Sequence, residues 1–205
     1  LPSPFFAGGT ARDILLQKSP KDIDIEIHGL EPHEFEKVMT IFGADGVGKS
    51  FFVYRYKNFD ISLPRVEKKI GHGHTGFCAE VTTDMKEACR RRDFTINAVL
   101  IRIADLEVFD FFGGVEDLGK KIIKMTDKNS FCEDSLRVLR GMQFAARLGF
   151  KIEDKTVEIC RQIPLDDISK SRIFTEFEKM FGGLFPSIGL YYFFRLGIAE
   201  KLFSI

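Results

Sequence analysis

Two aspartates, Asp22 and Asp24, stand two positions apart in the segment Lys21–Ile27, where charged and β-branched residues alternate. This alternation predicts a strand with one solvent-exposed face that carries only acids, because residues i and i+2 project to the same face. Two neighbouring carboxylates suit Mg²⁺, which proteins usually hold through one or two carboxylates together with substrate phosphates. Because Asp-x-Asp is also common on strand faces that merely contact solvent, the surrounding residues must decide between the two interpretations.

A phosphate site is predicted next to these carboxylates. The segment Phe5–Gly9 has the pattern of a short buried strand that runs into a glycine turn, and Thr10–Gln17 has the pattern of a helix. The free N–H groups at the start of such a helix bind phosphate. Only twelve residues, 10–21, separate Gly9 from Asp22. Gly8 and Gly9 are therefore predicted to contact a triphosphate beside the metal.

A third carboxylate, Asp60, lies on another predicted strand, Asn58–Leu63, and can complete the cluster. Three neighbouring acids repel one another, so the cluster requires a cation. The chemistry that follows is in-line attack of a hydroxyl on an α-phosphate. One metal ion lowers the pKa of the hydroxyl and another stabilises the pyrophosphate leaving group, so no protein nucleophile is needed.

Five motifs, in order along the chain, resemble those of one enzyme family. They are Gly8–Asp13 with Lys21–Asp24, Arg91–Ala98, Asp110–Asp117, Glu133–Arg140, and Ser171–Ile173 with Glu176 and Lys179. Together they resemble the class II tRNA nucleotidyltransferases (CCA-adding enzymes) and bacterial poly(A) polymerases over almost the whole chain. The resemblance implies an α+β fold: a polymerase-β-like nucleotidyltransferase head with a mixed sheet and helices, followed by an all-α neck and the start of a body.

The resemblance also implies roles for individual residues. Asp22 and Asp24 are the implied metal ligands, and Asp60 joins them as a catalytic carboxylate. The implied nucleotide-binding residues are Gly8, Gly9, Arg12, Arg92, Asp93, Asn97, Asp134, Arg137 and Arg140. The implied cofactor is Mg²⁺, as two ions, and the implied partners are CTP, ATP and the 3′ end of tRNA. Gln143 departs from the family, which commonly has an arginine there, and this affects one phosphate or base contact.

Asp134 and Arg137 are predicted to select the base. Both fall in the predicted helix Glu133–Leu148, where residues three apart share a face. Cytosine and adenine present an amino donor beside a ring-nitrogen acceptor, whereas uracil and guanine present a carbonyl beside a ring N–H. A carboxylate beside a guanidinium complements the first pattern, and each mismatched buried polar group costs about 1–3 kcal/mol. The alternative is a surface ion pair, which contributes little to stability.

Several other charged residues allow two interpretations. His72 and His74 stand in the glycine-rich segment 67–76 with no third ligand nearby, which favours a mobile loop that closes over the site. In the resembling family, the corresponding loop is associated with accepting A after C. Arg90 and Arg91 stay open between phosphate binding and a solvated helix start. Candidate RNA contacts, or plain surface charges, are Lys68, Lys69, Lys120 and Lys121.

The main functional interpretation is CTP/ATP:tRNA nucleotidyltransferase. Enzymes that add only the two Cs, only the A, or a poly(A) tail share the head motifs and stay open. A non-catalytic RNA-binding module is an alternative of another class, and the intact Asp22, Asp24 and Asp134 argue against it. A small-molecule nucleotidyltransferase, such as an antibiotic-modifying enzyme, has no reason to carry the base-reading motif.

The composition limits partners and compartment. Thirty basic residues balance thirty acidic ones, so any RNA contact must be local. The four cysteines have no Cys-x-x-Cys spacing, which predicts reduced, mostly buried thiols and no zinc site. No apolar run approaches the ~20 residues of a membrane span, and the N-terminus lacks a signal-peptide layout. These patterns predict a cytoplasmic protein with no membrane partner, whose oligomeric state stays open.

The remaining patterns predict three parts: a head in residues 1–124, a helical neck in 125–182, and a truncated start of a helical body in 183–205. In the head, predicted helices are His33–Phe42 and Met85–Ile101, the latter interrupted or capped near Asp93. Predicted strands are Ser50–Tyr56 and a pair around Ile101–Phe112. Helices predicted after the head are Glu133–Leu148, Lys155–Gln162, Ser171–Gly182 and Gly189–Leu202.

Overall fold

A computed structural model describes residues 1–48, 52–69 and 77–203 of the 205-residue chain. The strands are β1 (Ser3–Phe6), β2 (Ile23–His28), β3 (Asp45–Gly48), β4 (Val53–Tyr56), β5 (Phe59–Ser62), β6 (Arg65–Lys69), β7 (Phe77–Val81), β8 (Val99–Arg102), β9 (Val108–Asp110), β10 (Ile122–Ile123) and β11 (Lys151–Ile152). Seven of them form one sheet in the order β3-β4-β5-β2-β1-β8-β9, while β6 pairs with β7 and β10 pairs with β11.

The helices are α1 (Gly8–Leu15), α2 (Pro32–Ile41), α3 (Met85–Arg90), α4 (Gly114–Lys120), α5 (Lys128–Phe131), α6 (Leu136–Leu148), α7 (Asp154–Gln162), α8 (Lys170–Phe181), α9 (Pro186–Arg195) and α10 (Ile198–Phe203). The sheet is mixed, because β2 runs parallel to β5 and antiparallel to β1. A mixed sheet with helices followed by a mainly helical part confirms the predicted α+β fold.

The register of the two central strands places acids side by side. In the parallel pair β2–β5, Asp24 stands opposite Asp60. Side chains at paired positions of neighbouring strands emerge on the same face of a sheet. The Thr10 hydroxyl accepts the backbone N–H of Asp24 at 2.8 Å, which ties the first turn of α1 to β2. The acids and the start of α1 are thereby held at one end of the sheet.

One hydrophobic core joins the end of the head to the helices that follow. Phe94 and Ile123 belong to the same buried cluster as Leu139 of α6. The ring of Phe94 makes edge contacts with Phe131 and Phe144, with ring centroids 5.5 and 5.8 Å apart. The parallel pair β10–β11 also crosses residue 124. The domain boundaries at 124 and 182 stay predictions.

The predicted helix Met85–Ile101 is wrong beyond Arg90, where α3 ends. A single 3₁₀ turn occupies Thr95–Asn97, and β8 follows it. The reason lies partly in Asp93, whose buried carboxylate accepts the backbone N–H of Phe94 at 2.8 Å. Such local hydrogen bonds from an aspartate side chain compete with a helix. The rest of the segment pairs with β1 and β9, a long-range contact that local periodicity does not reveal.

Two helix predictions need smaller corrections. The helix predicted over Glu133–Leu148 begins only at Leu136, because the short helix α5 and a turn precede it. The helix predicted over Gly189–Leu202 is divided into α9 and α10. Gly197 stands between them with φ +72°, a left-handed conformation that glycine adopts without strain and that ends a helix.

The predicted loop 67–76 is wrong at its start, because β6 extends through Lys69. His72 and His74 lie outside the described residues. The helices α4 and α5 and the strands β3, β6, β7, β10 and β11 were not predicted. The other predicted helices and strands are confirmed in position, with shifted ends.

The cysteines largely match the expectation of buried thiols. Cys89 and Cys160 are free and buried, and burial raises the pKa of each thiol to about 12. Cys132 is also free but exposed. Among the described residues, no helix is both long and apolar enough to cross a membrane.

The motif Asp110–Asp117 builds the start of α4. The Asp110 carboxylate accepts the backbone N–H groups of Gly114 and Val115, each at 2.9 Å. A Cβ atom added to Gly114 would stand 2.2 Å from the carbonyl oxygen of Thr95. Because this distance is far below van der Waals contact, α4 packs directly on the backbone of the 3₁₀ turn.

We expect Gly114→Ala to lower the free energy of unfolding by about 1–3 kcal/mol, because the added methyl overpacks the contact with Thr95. Gly119→Ala in the same helix is the matched control, since its Cβ meets nothing within 4 Å. That control should raise stability by about 0.5–1 kcal/mol through lost unfolded-state entropy. Urea denaturation measures both, and equal effects of the two alanines would contradict the close approach.

Candidate active site

Every residue predicted above for metal or nucleotide binding lines one cleft of about 880 Å³. The cleft lies where the ends of β2 and β5 meet α1, the turn after α3, and the start of α6. Gln143, Arg147 and Arg172 also line it. Residues separated by more than a hundred positions in sequence are thereby brought together.

Asp22 and Asp24 lie at the start of β2. Asp22 is exposed and Asp24 is half-buried. Burial raises the pKa of Asp24 above its ordinary 3.8, Asp60 and Asp22 raise it further, and Arg92 and Arg12 oppose them. The three acids are therefore close enough to repel one another, as expected of a cation site.

The carboxylate of Asp60 forms an ion pair with an arginine. Arg55 on the neighbouring strand β4 donates two hydrogen bonds to its carboxylate, at 2.7 and 2.8 Å.

Within the described part of the chain, no group of three or more His, Cys, Asp or Glu side chains is arranged to hold a metal ion. Asp22 and Asp24 supply hard oxygen ligands, and a bound phosphate is the natural source of the remainder. The residues therefore fit a divalent cation that binds together with a phosphate ligand.

The start of α1 leaves open space where the phosphate site is predicted. Gly8 has φ +55°, and a Cβ atom added there would stand 3.1 Å from Nη1 of Arg92 and 3.4 Å from Oδ2 of Asp24. A Cβ on Gly9 would lie 3.5 Å from Nη2 of Arg12. The absence of side chains leaves room for a ligand between the aspartate and two arginines, at a helix N-terminus that attracts anions.

Arg92 is held by a buried partner that the sequence did not indicate. Glu26 on β2 accepts from Arg92 at 2.8 Å and from His28 at 2.8 Å. The alternation of β2 was interpreted as a wet acidic face, yet Glu26 and His28 are only 6% and 8% exposed. Although burial raises the pKa of Glu26, Arg92 and the hydrogen bond from His28 outweigh it and hold that pKa below 4.5. The sequence held one signal for Glu26: it stands two residues after Asp24 on the same strand, and so on the same face of the sheet.

A chain of hydrogen bonds joins α1 to α6 through buried groups. Arg12 donates to Oδ1 of Asn97 at 2.8 Å, and Asn97 donates to Asp93 at 2.9 Å. Asp93 accepts from Arg140 at 2.6 Å. Burial raises the pKa of Asp93, but Arg140 and the Asn97 hydrogen bond reverse the shift and hold it below 3.8. The geometry thus assigns Asp93 and Asn97 to the framework of the cleft, while their nucleotide contacts stay predictions.

Asp134 lies in the turn before α6, so the predicted one-turn spacing from Arg137 along a helix is wrong. The Asp134 carboxylate accepts the N–H of Leu136 at 3.1 Å and faces Arg172 of α8 at 3.5 Å. Arg137 donates to the backbone carbonyls of Ser130 and Arg91, each at 2.7 Å. Both side chains still line the cleft, held by separate partners.

The neighbouring arginines, which the sequence left open, form ion pairs. Arg91 contacts both carboxylate oxygens of Glu133, at 2.8 and 3.0 Å, and lines the cleft. Arg90 pairs with Glu87 at 2.9 Å on α3. Lys120 pairs with Glu116 on α4. Both interpretations of Arg90 and Lys120 stay open, because an exposed ion pair can also exchange for a phosphate.

The fold and the cleft define a polymerase-β-like nucleotidyltransferase head. The profile described as "Poly A polymerase head domain" matches residues 4–124, more than half of the chain. A second profile, "Probable RNA and SrmB- binding site of polymerase A", matches residues 149–205. The chain belongs to the poly(A) polymerase head-domain family, whose members generally need a divalent metal.

Relatives of similar sequence carry names that fit this family. A "Multifunctional CCA protein" from Xanthomonas campestris is 34% identical over 194 residues, covering 89% of this chain and 46% of the relative. A "CCA-adding enzyme" from Pediococcus pentosaceus is 35% identical over 192 residues, covering 91% of this chain and 48% of the relative. The chain therefore spans about half the length of the relatives that it matches.

Solved structures with a similar fold are also CCA-adding enzymes. The Bacillus stearothermophilus CCA-adding enzyme in complex with CTP matches with a TM-score of 0.79 and 28% identity, covering 94% of this chain and 47% of that one. The Thermotoga maritima CCA-adding enzyme complexed with tRNA matches with a TM-score of 0.78 and 25% identity, covering 99% and 48%. These chains are also about twice as long as this one.

We expect Glu26→Gln to lower the free energy of unfolding at neutral pH by about 3 kcal/mol, because it leaves the Arg92 charge buried without its partner. A carboxylate whose pKa is lowered on folding stabilises the protein above its ordinary value of 4.5 and loses that effect as the pH falls through the folded-state value. The deficit of the variant should therefore shrink in acid.

Thermal or urea unfolding from neutral pH to pH 3 measures this difference. Glu116→Gln is the control, because it breaks only an exposed ion pair with Lys120 and should leave stability unchanged. A deficit of Glu26→Gln that stays constant with pH would contradict the assigned ion pair.

Proposed function

We propose that this chain is the catalytic part of a CTP/ATP:tRNA nucleotidyltransferase, which adds C and A to the 3′ end of tRNA without a template. The observation that carries the proposal is the single cleft that contains the metal carboxylates, the phosphate cradle at Gly8 and Gly9, and the pair Asp134 and Arg137. The names of the relatives and the CTP- and tRNA-bound neighbours support it.

Each side of the cleft has a separate task in this mechanism. The backbone of Gly8 and Gly9 and the guanidinium of Arg92 receive the triphosphate and orient its α-phosphate for in-line attack by the RNA hydroxyl. Asp22 and Asp24 hold the divalent metal, which we propose to be Mg²⁺ as two ions, with Asp60 as a further carboxylate. Such ions, when bound, lower the pKa of the attacking hydroxyl and stabilise the pyrophosphate leaving group.

Base selection is proposed for Asp134 and Arg137. The carboxylate accepts the amino group of cytosine or adenine, and the guanidinium donates to the adjacent ring nitrogen. Uracil and guanine reverse this pattern, so both contacts fail together. Arg12 and Arg140 border the same space, and the protein side chains thus replace a template strand.

Related activities share these features and need a direct assay. CC-only, A-only and poly(A) addition are separated by incubating the chain with tRNA that lacks its 3′ end and each labelled nucleotide singly, then in pairs. The proposed role of the glycine-rich loop in accepting A after C concerns residues outside the described part of the chain. The cytoplasm stays the proposed location.

We expect Asp24→Asn to reduce nucleotide incorporation by about a hundredfold or more, because it removes a metal-binding charge. Without divalent metal, the variant should be at least as stable as the wild-type protein. A carboxylate whose pKa is raised on folding disfavours the folded state when it is ionised. The stability gap should close as the pH falls through the raised pKa toward 3.8, since the wild-type carboxylate then gains its proton.

Incorporation of labelled CTP and thermal melting in chelator check these two effects. The control is Glu158→Ala, which removes an exposed acid on α7 outside the cleft. Near-normal incorporation by Asp24→Asn would reject the metal assignment.

We expect Asp134→Ala to lower the preference for CTP over UTP by about tenfold, because the carboxylate no longer accepts the amino donor or opposes the carbonyl. Asp127→Ala is the matched control. Asp127 also accepts a backbone N–H at the start of a short helix, from Ser130 at 2.9 Å, but does not line the cleft. The measurement is the ratio of incorporation efficiencies for the two nucleotides. If both variants leave the ratio unchanged, base reading by Asp134 is excluded.

A further inference from the structure

Three arginines surround the ring of Phe144 on the wall of the cleft. The guanidinium carbons of Arg12, Arg140 and Arg147 lie 5.4, 5.1 and 6.0 Å from its centroid. We call this group the Phe144 arginine cluster. An aromatic face attracts each cation, yet three guanidinium groups around one ring repel one another.

Two of the three positive charges have acidic partners. Arg12 contacts Asp13 at 2.7 Å, and Arg140 contacts Asp93 at 2.6 Å. Among the described residues, Arg147 makes neither a hydrogen bond nor a salt bridge. The cluster therefore keeps one excess positive charge in the cleft.

Another acid that acts on Arg147 is Glu176 of α8. It is buried, and its Oε1 contacts Lys179 at 2.7 Å, whereas its Oε2 has no hydrogen-bond partner among the described residues. Burial lowers the pKa of Arg147, and the charges of Arg12 and Arg140 lower it further, while Asp13 and Glu176 oppose them. An anion bound at Arg147 would relieve this repulsion.

A buried amide without a partner lies one turn before Arg147. Gln143 is 1% exposed, lines the cleft, and its Oε1 has no hydrogen-bond partner among the described residues. A buried polar group without a partner destabilises the folded protein, because it has lost its hydrogen bonds to water. Residues four apart on a helix share a face, so the side chains of Gln143 and Arg147 emerge on the same side of α6, and both line the cleft.

We propose that Gln143 and Arg147 form a subsite for a ribose phosphate. Arg147 binds the phosphate, and the Gln143 amide accepts a hydrogen bond from an adjacent ribose hydroxyl. The ligand combines a negative charge for the Arg147 guanidinium with a hydroxyl donor for Oε1 of Gln143. Both an incoming nucleotide and an RNA strand carry this chemistry. This inference adds a subsite to the proposed function. It rests on that function only where it identifies the ligand as part of a nucleotide or an RNA strand.

Equilibrium binding by calorimetry tests the subsite without requiring catalysis. The variants are Arg147→Gln, which removes the charge, and Gln143→Leu, which removes the amide at similar volume. Lys155→Gln, which removes an exposed charge on α7 outside the cleft, is the control. The ligands are inorganic triphosphate, CTP, dCTP, the ribotrinucleotide CpCpC and its deoxy counterpart.

Arg147→Gln should weaken binding of a phosphate ligand by about tenfold, as expected for a lost charge-assisted hydrogen bond. A loss confined to triphosphate and CTP assigns the subsite to the incoming nucleotide, whereas a loss confined to CpCpC assigns it to the RNA strand. Gln143→Leu should weaken ribose ligands more than deoxyribose ligands and raise the melting temperature, because an unpaired buried amide is removed. A purely structural glutamine would lower stability instead.

The proposal is overturned if Arg147→Gln binds every ligand like the wild-type protein, or if Lys155→Gln causes the same loss. The hydroxyl contact is overturned if Gln143→Leu affects ribose and deoxyribose ligands equally. No measurable binding of any ligand to the wild-type protein also rejects the subsite. Binding that depends on Arg147, in a protein that adds no nucleotide, would reject the proposed function and leave the subsite standing.

Discussion

Repulsion between like charges is the constraint on which this cleft depends. Asp22, Asp24 and Asp60 line it together with several arginines. The protein limits the cost by giving individual charges fixed partners, such as Glu26 for Arg92 and Asp93 for Arg140. Both carboxylates are buried and have lowered pKa values, so they stay ionised beside their arginines. The remaining charges face the cleft, where metal and phosphate can neutralise them.

These ion pairs also decide how the head and the helices fit together. Asp93 belongs to the turn that follows α3, whereas Arg140 belongs to α6. Beneath this contact, Phe94 packs against Phe131 and Phe144 in one continuous core. A shift of α6 would therefore disturb both the packing and the Arg12–Asn97–Asp93 hydrogen bonds. The start of α1, the turn after α3 and the start of α6 are consequently held as one unit, and such a rigid arrangement can preorganise a site for its ligand.

The sequence predicted which residues line the cleft better than it predicted the ion-pair partners of those residues. The Asp-x-Asp strand and the glycine turn were evident because their signals are local and periodic. The strand pair around Ile101–Phe112 was predicted, but residues 98–100 were assigned to a helix, because the start of β8 depends on pairing with β9. Glu26 was assigned to solvent for a similar reason: only the fold shows that Arg92, 66 positions away, buries it. Ion pairs between distant residues leave no trace in spacing along one chain.

Asp134 precedes α6 instead of lying on it, and this changes the physical basis of the proposed base reading. On one helical turn, Asp134 and Arg137 would neutralise each other before a base arrived. In the structure, Asp134 is oriented by the N–H of Leu136, and Arg137 by the carbonyls of Ser130 and Arg91. Asp134 also pairs with Arg172 at 3.5 Å, so each of the two groups is oriented by named contacts of its own. In the proposed base reading, donor and acceptor are therefore preorganised at the corner between α5 and α6, and less reorganisation opposes binding of the matching base.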